Sequence, residues 1–241
     1  MVRGDSQVSE VLLSLDGVSR VFGDEVKVHA LRDVSLEIRA GDFLSIVGPS
    51  GSGKSTLLGL LGVLDLPSSG AVRIRGTDMA DLGDAERSRM RGSAVGFVFQ
   101  QFHLIPHLTA LENVETALLY RGLLAGRRRQ RALDALEQVG LGNRHGHTPI
   151  QLSGGEQQRA AIARAIVTDP LMVLADEPTG ALDSQNAANV MDMFAELQSP
   201  ERAICVVTHD PEVASRTQRR ITMLDGEIVA DELLDVAGGV R

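Results

Sequence analysis

The 241-residue chain contains no tryptophan, one tyrosine and one cysteine. Aromatic residues make up only 3% of it, too few for a platform on which nucleic-acid bases stack. Cys205, inside "AICVV", cannot close an internal disulfide, and its apolar neighbours predict a buried thiol, not a nucleophile. Positive charge is also short: 24 Lys and Arg stand against 32 Asp and Glu, a formal charge of −8. That balance argues against a phosphate-tracking surface, so no nucleic-acid partner is expected. Apolar runs such as "LLGLLGVL" fall far short of the ~20 residues that span a bilayer. The start, "MVRGDSQVSE", lacks the apolar stretch of a secretory signal. The chain is therefore expected not to cross a membrane by itself, although a partner could hold it against one. Lysine is scarce too, with only Lys27 and Lys54 beside 22 arginines. A lysine at a chosen position is informative here.

What is present is a strand-rich first part, a helical middle and a return to strands. "VLLSLDGV", "VSLEI" and "DFLSIVG" read as strands, and "FLSIV" is the continuous apolar run of a strand buried on both faces. "STLLGLLGVL" reads as a helix, and "AVRIR" and "VGFVF" as further short strands. From about 101 to 165 the pattern is helical. Thr109 and Glu112 form a capping box at the head of "TALENVETALLY". "QRALDALEQVGLG" places Ala132, Leu133, Leu136 and Val139 on one face and stops at Gly140, and "GRRRQR" is its solvated start. Strands return with "LMVLADE" and "AICVVTHD", then a hairpin over "ITMLDGEIVA" turning at Asp225-Gly226. The reading is α/β, with a mainly parallel core interrupted by a helical insertion. Residues 1–10 and 236–241 are expected to be tails flanking one domain over 11–235.

The chemistry concentrates in four places. Gly48-Pro49-Ser50-Gly51-Ser52-Gly53-Lys54-Ser55-Thr56 fits G-x-x-x-x-G-K-[ST] between a strand and a helix. Its backbone N–H groups can turn inward around phosphates, helped by the positive end of the helix that follows. Lys54 supplies a compact cation for the β- and γ-phosphates, and the Ser55 hydroxyl a ligand for Mg²⁺. "LMVLADE" ends in Asp176, a second Mg²⁺ ligand, and Glu177, placed to deprotonate an attacking water. Gln100 and His209 each follow a strand and can bring one polar group towards the γ-phosphate; a solvated loop histidine is the plainer reading of His209 alone.

"LSGGEQQR", Leu152 to Arg159, poses a puzzle. Ser153 and Glu156 make a capping box, so the plain reading is a helix start. Yet Gly154 and Gly155 expose N–H groups at a positive helix end, which is how an anion is held. The chain already owns one phosphate cradle, and one nucleotide needs only one. The second is therefore expected to serve a nucleotide on another molecule.

These residues, in this order, resemble the ATP-binding cassette (ABC) family over roughly residues 11 to 230. The carriers of the resemblance are the phosphate loop, Gln100, "LSGGEQQR", "LMVLADE", "GALD" ending at Asp183, and His209. The resemblance implies a P-loop NTPase core with an N-terminal antiparallel β region and an inserted helical subdomain. It implies Phe22 stacking on adenine, where the family commonly has tyrosine. It implies Gln100 sensing Mg²⁺ and water, Ser153–Gly155 gripping the opposite protomer's γ-phosphate, Asp183 at the dimer seam and His209 on the γ-phosphate. It also implies ATP and Mg²⁺ as ligands, a second cassette subunit and a separate transmembrane permease, with the chain peripheral on the cytoplasmic face of the membrane. "QFHLIPHLTALENV" and "LADEPTGALDSQNA" look like the subgroup serving macrolide exporters and lipoprotein-release complexes. A soluble ABC ATPase, such as one for iron–sulfur assembly, is the alternative.

Overall fold

The computed structural model describes residues 9–23 and 26–234. The expected tails fall almost wholly outside them; of 1–10 only Ser9 and Glu10 are described, and of 236–241 none. Two sheets share the work. Strands β1 (Val11–Phe22), β2 (Val28–Arg39), β4 (Ser69–Ile74) and β5 (Thr77–Asp78) form an antiparallel sheet in the order β2-β1-β4-β5. Strands β3 (Phe43–Val47), β6 (Val95–Phe99), β7 (Met172–Asp176), β8 (Ala203–Val207), β9 (Arg219–Leu224) and β10 (Glu227–Leu233) form the other, ordered β10-β9-β3-β8-β7-β6. All its pairings are parallel except β9 with β10, the expected hairpin. At that turn Asp225 and Gly226 have φ of 49° and 85°, the double left-handed step that matches strand twist.

The pleat explains why the central strands read as unbroken apolar runs. Leu44, Ile46, Leu174 and Cys205 point into one core, together with the antiparallel sheet and helix α1 (Lys54–Leu61). Phe43, Val98, Val173, Ile204 and Val206 point into the other. That second core is closed by α3 (Ala110–Thr116), α4 (Ala125–Gln138), α5 (Gly154–Ile166) and α6 (Ser184–Leu197). Helices therefore cover a sheet that neither face could leave in water. α2 (Asp84–Ala94) and α7 (Pro211–Ser215) complete the helices. Cys205 is fully buried in β8, and burial pushes its thiol up, as an inert core residue requires. Arg219 ties the sheets, donating from Nη1 to the Glu37 carbonyl and to Asp42, 2.9 Å each.

Two helices end early: α3 stops at Thr116, short of the Tyr120 that closes "TALENVETALLY". The helix expected over Ser55–Leu64 stops at Leu61, because Val63 adopts φ 53° and the Leu64 N–H turns back to the Gly59 carbonyl at 2.8 Å. No helix among the described residues is long and apolar enough to cross a membrane.

Candidate active site

Strand β3 delivers the chain into the loop Gly48–Gly53 at the carboxyl end of the parallel strands, where α/β sheets bind ligands. Gly53 has φ 99°, and a Cβ there would stand 2.5 Å from the Ala30 carbonyl oxygen, so only glycine lets the loop pass β2. Pro49, Ser50, Gly51 and Ser55 are exposed, while Ser52 is buried and its N–H closes a turn to the Pro49 carbonyl at 3.3 Å. The Lys54 ammonium donates to the carbonyls of Gly48 and Pro49 at 2.8 and 2.9 Å, which curls the side chain over the loop. Thr56 continues into α1, half-buried.

β7 and β8 are neighbours in the sheet, so residues following them meet. Asp176 pairs in register with Val207, and the Glu177 N–H donates to the Val207 carbonyl at 2.9 Å. Glu177 itself has φ 47°, a conformation that costs an ordinary L residue of order 1–3 kcal/mol. That backbone aims its carboxylate at His209: Nδ1 to Oε1 is 2.7 Å. An ionised carboxylate offers no proton, so Nδ1 carries the hydrogen and Nε2 is left for another partner. Buried Thr208 adds a hydroxyl donor to Glu177 Oε2 at 3.3 Å.

Charge couples these groups. Burial first, then the charge of Glu177, push the Asp176 carboxyl up, and Lys54 opposes them. The hydrogen bond to Glu177, followed by its charge, holds His209 above the ordinary imidazole value. Lys54, Asp176, Glu177 and His209 thus lie within one another's electrostatic influence. Gln100 joins it from the end of β6. Its amide lies over Gly180, where a Cβ would stand 2.7 Å from Nε2, and it shares with Glu177 and His209 a cleft of about 400 Å³. His209 remains largely exposed, with 75% of its side chain accessible, and its hydrogen bond to Glu177 is what distinguishes it from a plain solvated-loop histidine.

The signature turn, Ser153–Gly155 within "LSGGEQQR", lies elsewhere. Ser153 caps α5, its hydroxyl accepting from the Glu156 N–H at 3.3 Å while Glu156 accepts from the Ser153 N–H at 2.8 Å. That backbone hydrogen bond holds the Glu156 carboxyl low. Ser153 is exposed. Gly155 is pressed against α6, where a Cβ would stand 2.5 Å from Asn186 Oδ1. No hydrogen bond among the described residues joins Ser153, Gly154 or Gly155 to the phosphate loop. Asp183 caps α6, accepting from the Asn186 N–H and side-chain amide at 2.8 Å each. Phe22 ends β1, 41% exposed, with the Arg20 guanidinium 4.6 Å from its ring centroid. It is a surface ring with one face occupied by a cation. Thr208 was absent from the sequence reading, although a polar residue closing an apolar strand beside His209 was its signal.

The family model described as ABC transporter matches residues 31–180. The chain is 50% identical over 221 residues to the macrolide export ATP-binding/permease protein MacB 1/2 of Paracoccus denitrificans, covering 91% of the chain but 33% of that protein. The chain thus spans about a third of the length of that relative. An uncharacterized ABC transporter ATP-binding protein, YvrO of Bacillus subtilis, is 45% identical and is covered to 99%, with 94% of this chain. A dimeric post-hydrolysis structure of the ATP-binding cassette MJ0796 with ADP and Pi superposes with a TM-score of 0.84. It has 45% identity and covers 92% of this chain and 99% of that one. With phosphate loop, paired carboxylates and capped signature helix set on this fold, the chain belongs to the ABC transporter family, as its ATPase cassette.

Proposed function

We propose that two copies of this cassette close head-to-tail around two ATP molecules and that each ATP is hydrolysed between one copy's phosphate loop and the other's Ser153–Gly155 turn. The observation that carries the reading is the Glu177–His209 pair at 2.7 Å, sharing its cleft with Gln100 and its field with Lys54. In it Glu177 takes a proton from water as the water oxygen attacks the γ-phosphorus, and ADP departs. His209 Nε2 and Lys54 stabilise the charge on the γ-phosphoryl oxygens. The exposed Ser153 turn, at the capped head of α5, suits a phosphate brought by a second molecule. Phe22 offers its uncovered face to adenine.

The donor set suits Mg²⁺. Asp176 is a hard carboxylate raised by burial and a neighbouring charge, and the Ser55 hydroxyl is exposed in the first turn of α1. Two such donors are few for a protein cage and fit a cation held jointly with substrate phosphates. When bound, the ion supplies Lewis-acid neutralisation of phosphate charge, held by Asp176 and Ser55 with Gln100 nearby. The relatives named as export ATP-binding/permease proteins support a role driving a membrane permease, with this chain on the cytoplasmic face.

Glu177→Gln tests the reading. Turnover should fall about 10²–10⁴-fold with the general base gone, while ATP binding persists. Unhydrolysed ATP should then hold a dimer visible by size-exclusion chromatography with MgATP. A variant that stays monomeric at saturating MgATP would overturn the interfacial role of ATP.

A further inference from the structure

Helix α5 does more than present the signature turn. Gln158, fully buried, donates from Nε2 to the carbonyl oxygen of Pro178 at 2.5 Å, the residue next to Glu177. Its own Oε1 has no partner among the described residues. A buried amide with a lone oxygen is a poor core filler, and its value lies in what the NH₂ holds. About 9 Å further along the helix, Arg164 donates from Nη1 to the His103 carbonyl at 2.5 Å and from Nη2 to the Phe102 carbonyl at 2.9 Å. Phe102 and His103 have φ of 59° and 48°, two consecutive left-handed residues without glycine, just after Gln100. Such a turn persists only where its surroundings over-determine it. The Phe102 ring reaches back to the signature turn, 3.9 Å from where a Gly154 Cβ would stand. Burial lowers the Arg164 pKa, and no carboxylate among the described residues compensates it. The guanidinium fork is spent on two backbone oxygens.

We propose that Arg164 and Gln158 are positioning residues for hydrolysis: from one rigid helix they fix the backbone that aims Gln100 and the backbone that aims Glu177. A phosphate engaged by Ser153–Gly155 acts on the end of that same helix. Engagement at the signature turn and alignment of the chain's own catalytic groups are therefore mechanically joined. This rests on the cleft being the hydrolytic site.

Arg164→Lys keeps the charge and the stem but loses the fork. Steady-state ATPase rates and fluorescent-nucleotide binding are compared with the unaltered cassette, whose own turnover must be measured first. An inactive unaltered cassette would count against the hydrolytic reading and not against this coupling. Given an active one, R164K should lose about tenfold or more in kcat, the scale of a remote misplacement, with KM and nucleotide affinity near the original. Adding His103→Gly should recover most of that loss, since glycine takes the left-handed turn without a clamp. Gln158→Met, which fills the volume without the donor, should show the same split of kcat from KM. The proposal is overturned if both R164K and Q158M keep kcat within about twofold, well inside the loss a misplaced group causes. It is equally overturned if affinity falls in step with kcat, or if R164K fails to fold, since the fork would then be packing alone.

Discussion

Glu177 and His209 show how a residue's backbone sets its chemistry. The left-handed φ of Glu177 turns its carboxylate from the strand direction onto the imidazole of the neighbouring strand's continuation. Because the folded pKa of His209 is raised, the imidazolium persists above the ordinary imidazole range, and its pairing with Glu177 is fully present below that range. The pairing fades as pH rises through the folded value. Only the imidazolium donates from both nitrogens, to Glu177 and to a phosphate oxygen at once. Turnover should therefore fall on the alkaline side as His209 deprotonates. His209→Ala should lower kcat about 10²–10³-fold, the scale for one lost charge-stabilising donor, and remove that limb. ATP affinity should change little. A pH–rate profile in which H209A keeps both rate and limb would return the histidine to a bystander role.

Among elements, α5 is the one on which the account turns, and its seat is β6. A Cβ at Gly96 would overlap the Ala165 carbonyl, so helix and strand touch backbone to backbone. Gly96→Ala should destabilise the fold by about 1–3 kcal/mol, as overpacking does. Gly92→Ala, in α2 with nothing within 4 Å of the added Cβ, should stabilise by roughly 0.5–1 kcal/mol. Urea unfolding of both variants checks the opposite signs; equal effects would remove the close-packed seat from the account. Much of this element was legible in the sequence: the capping box at Ser153, the glycine pair, and the apolar run of β6 are local patterns. The fasteners were not. Arg164 meets Phe102 and His103 across 62 and 61 positions, and a side chain bonding to backbone leaves no periodicity or spacing to read. The early end of α1 was hidden for a related reason. A β-branched Val63 in the left-handed region contradicts its own propensity, and the closing hydrogen bonds from Leu64 and Asp65 to the Gly59 carbonyl account for the turn.

At the scale of the whole molecule, the phosphate loop and the signature turn are carried by different elements, and no hydrogen bond among the described residues joins them. On the proposed reading, one chain offers half of each of two sites. The sequence raises that reading by arithmetic alone, since two phosphate cradles and one nucleotide do not balance. Lys54→Ala spoils the loop and Ser153→Arg blocks the turn, so each variant as a homodimer places one defect in every composite site. Mixed, they form heterodimers in which one site has both defects and the other has neither. The direct measurement is ATP binding and hydrolysis by the purified heterodimer beside each homodimer, with and without the permease. The account predicts that both homodimers are inactive and that the heterodimer binds ATP at its one intact site and regains part of the turnover. A heterodimer that forms but binds no ATP at an intact site would contradict it, because Ser153 would then serve its own chain's nucleotide.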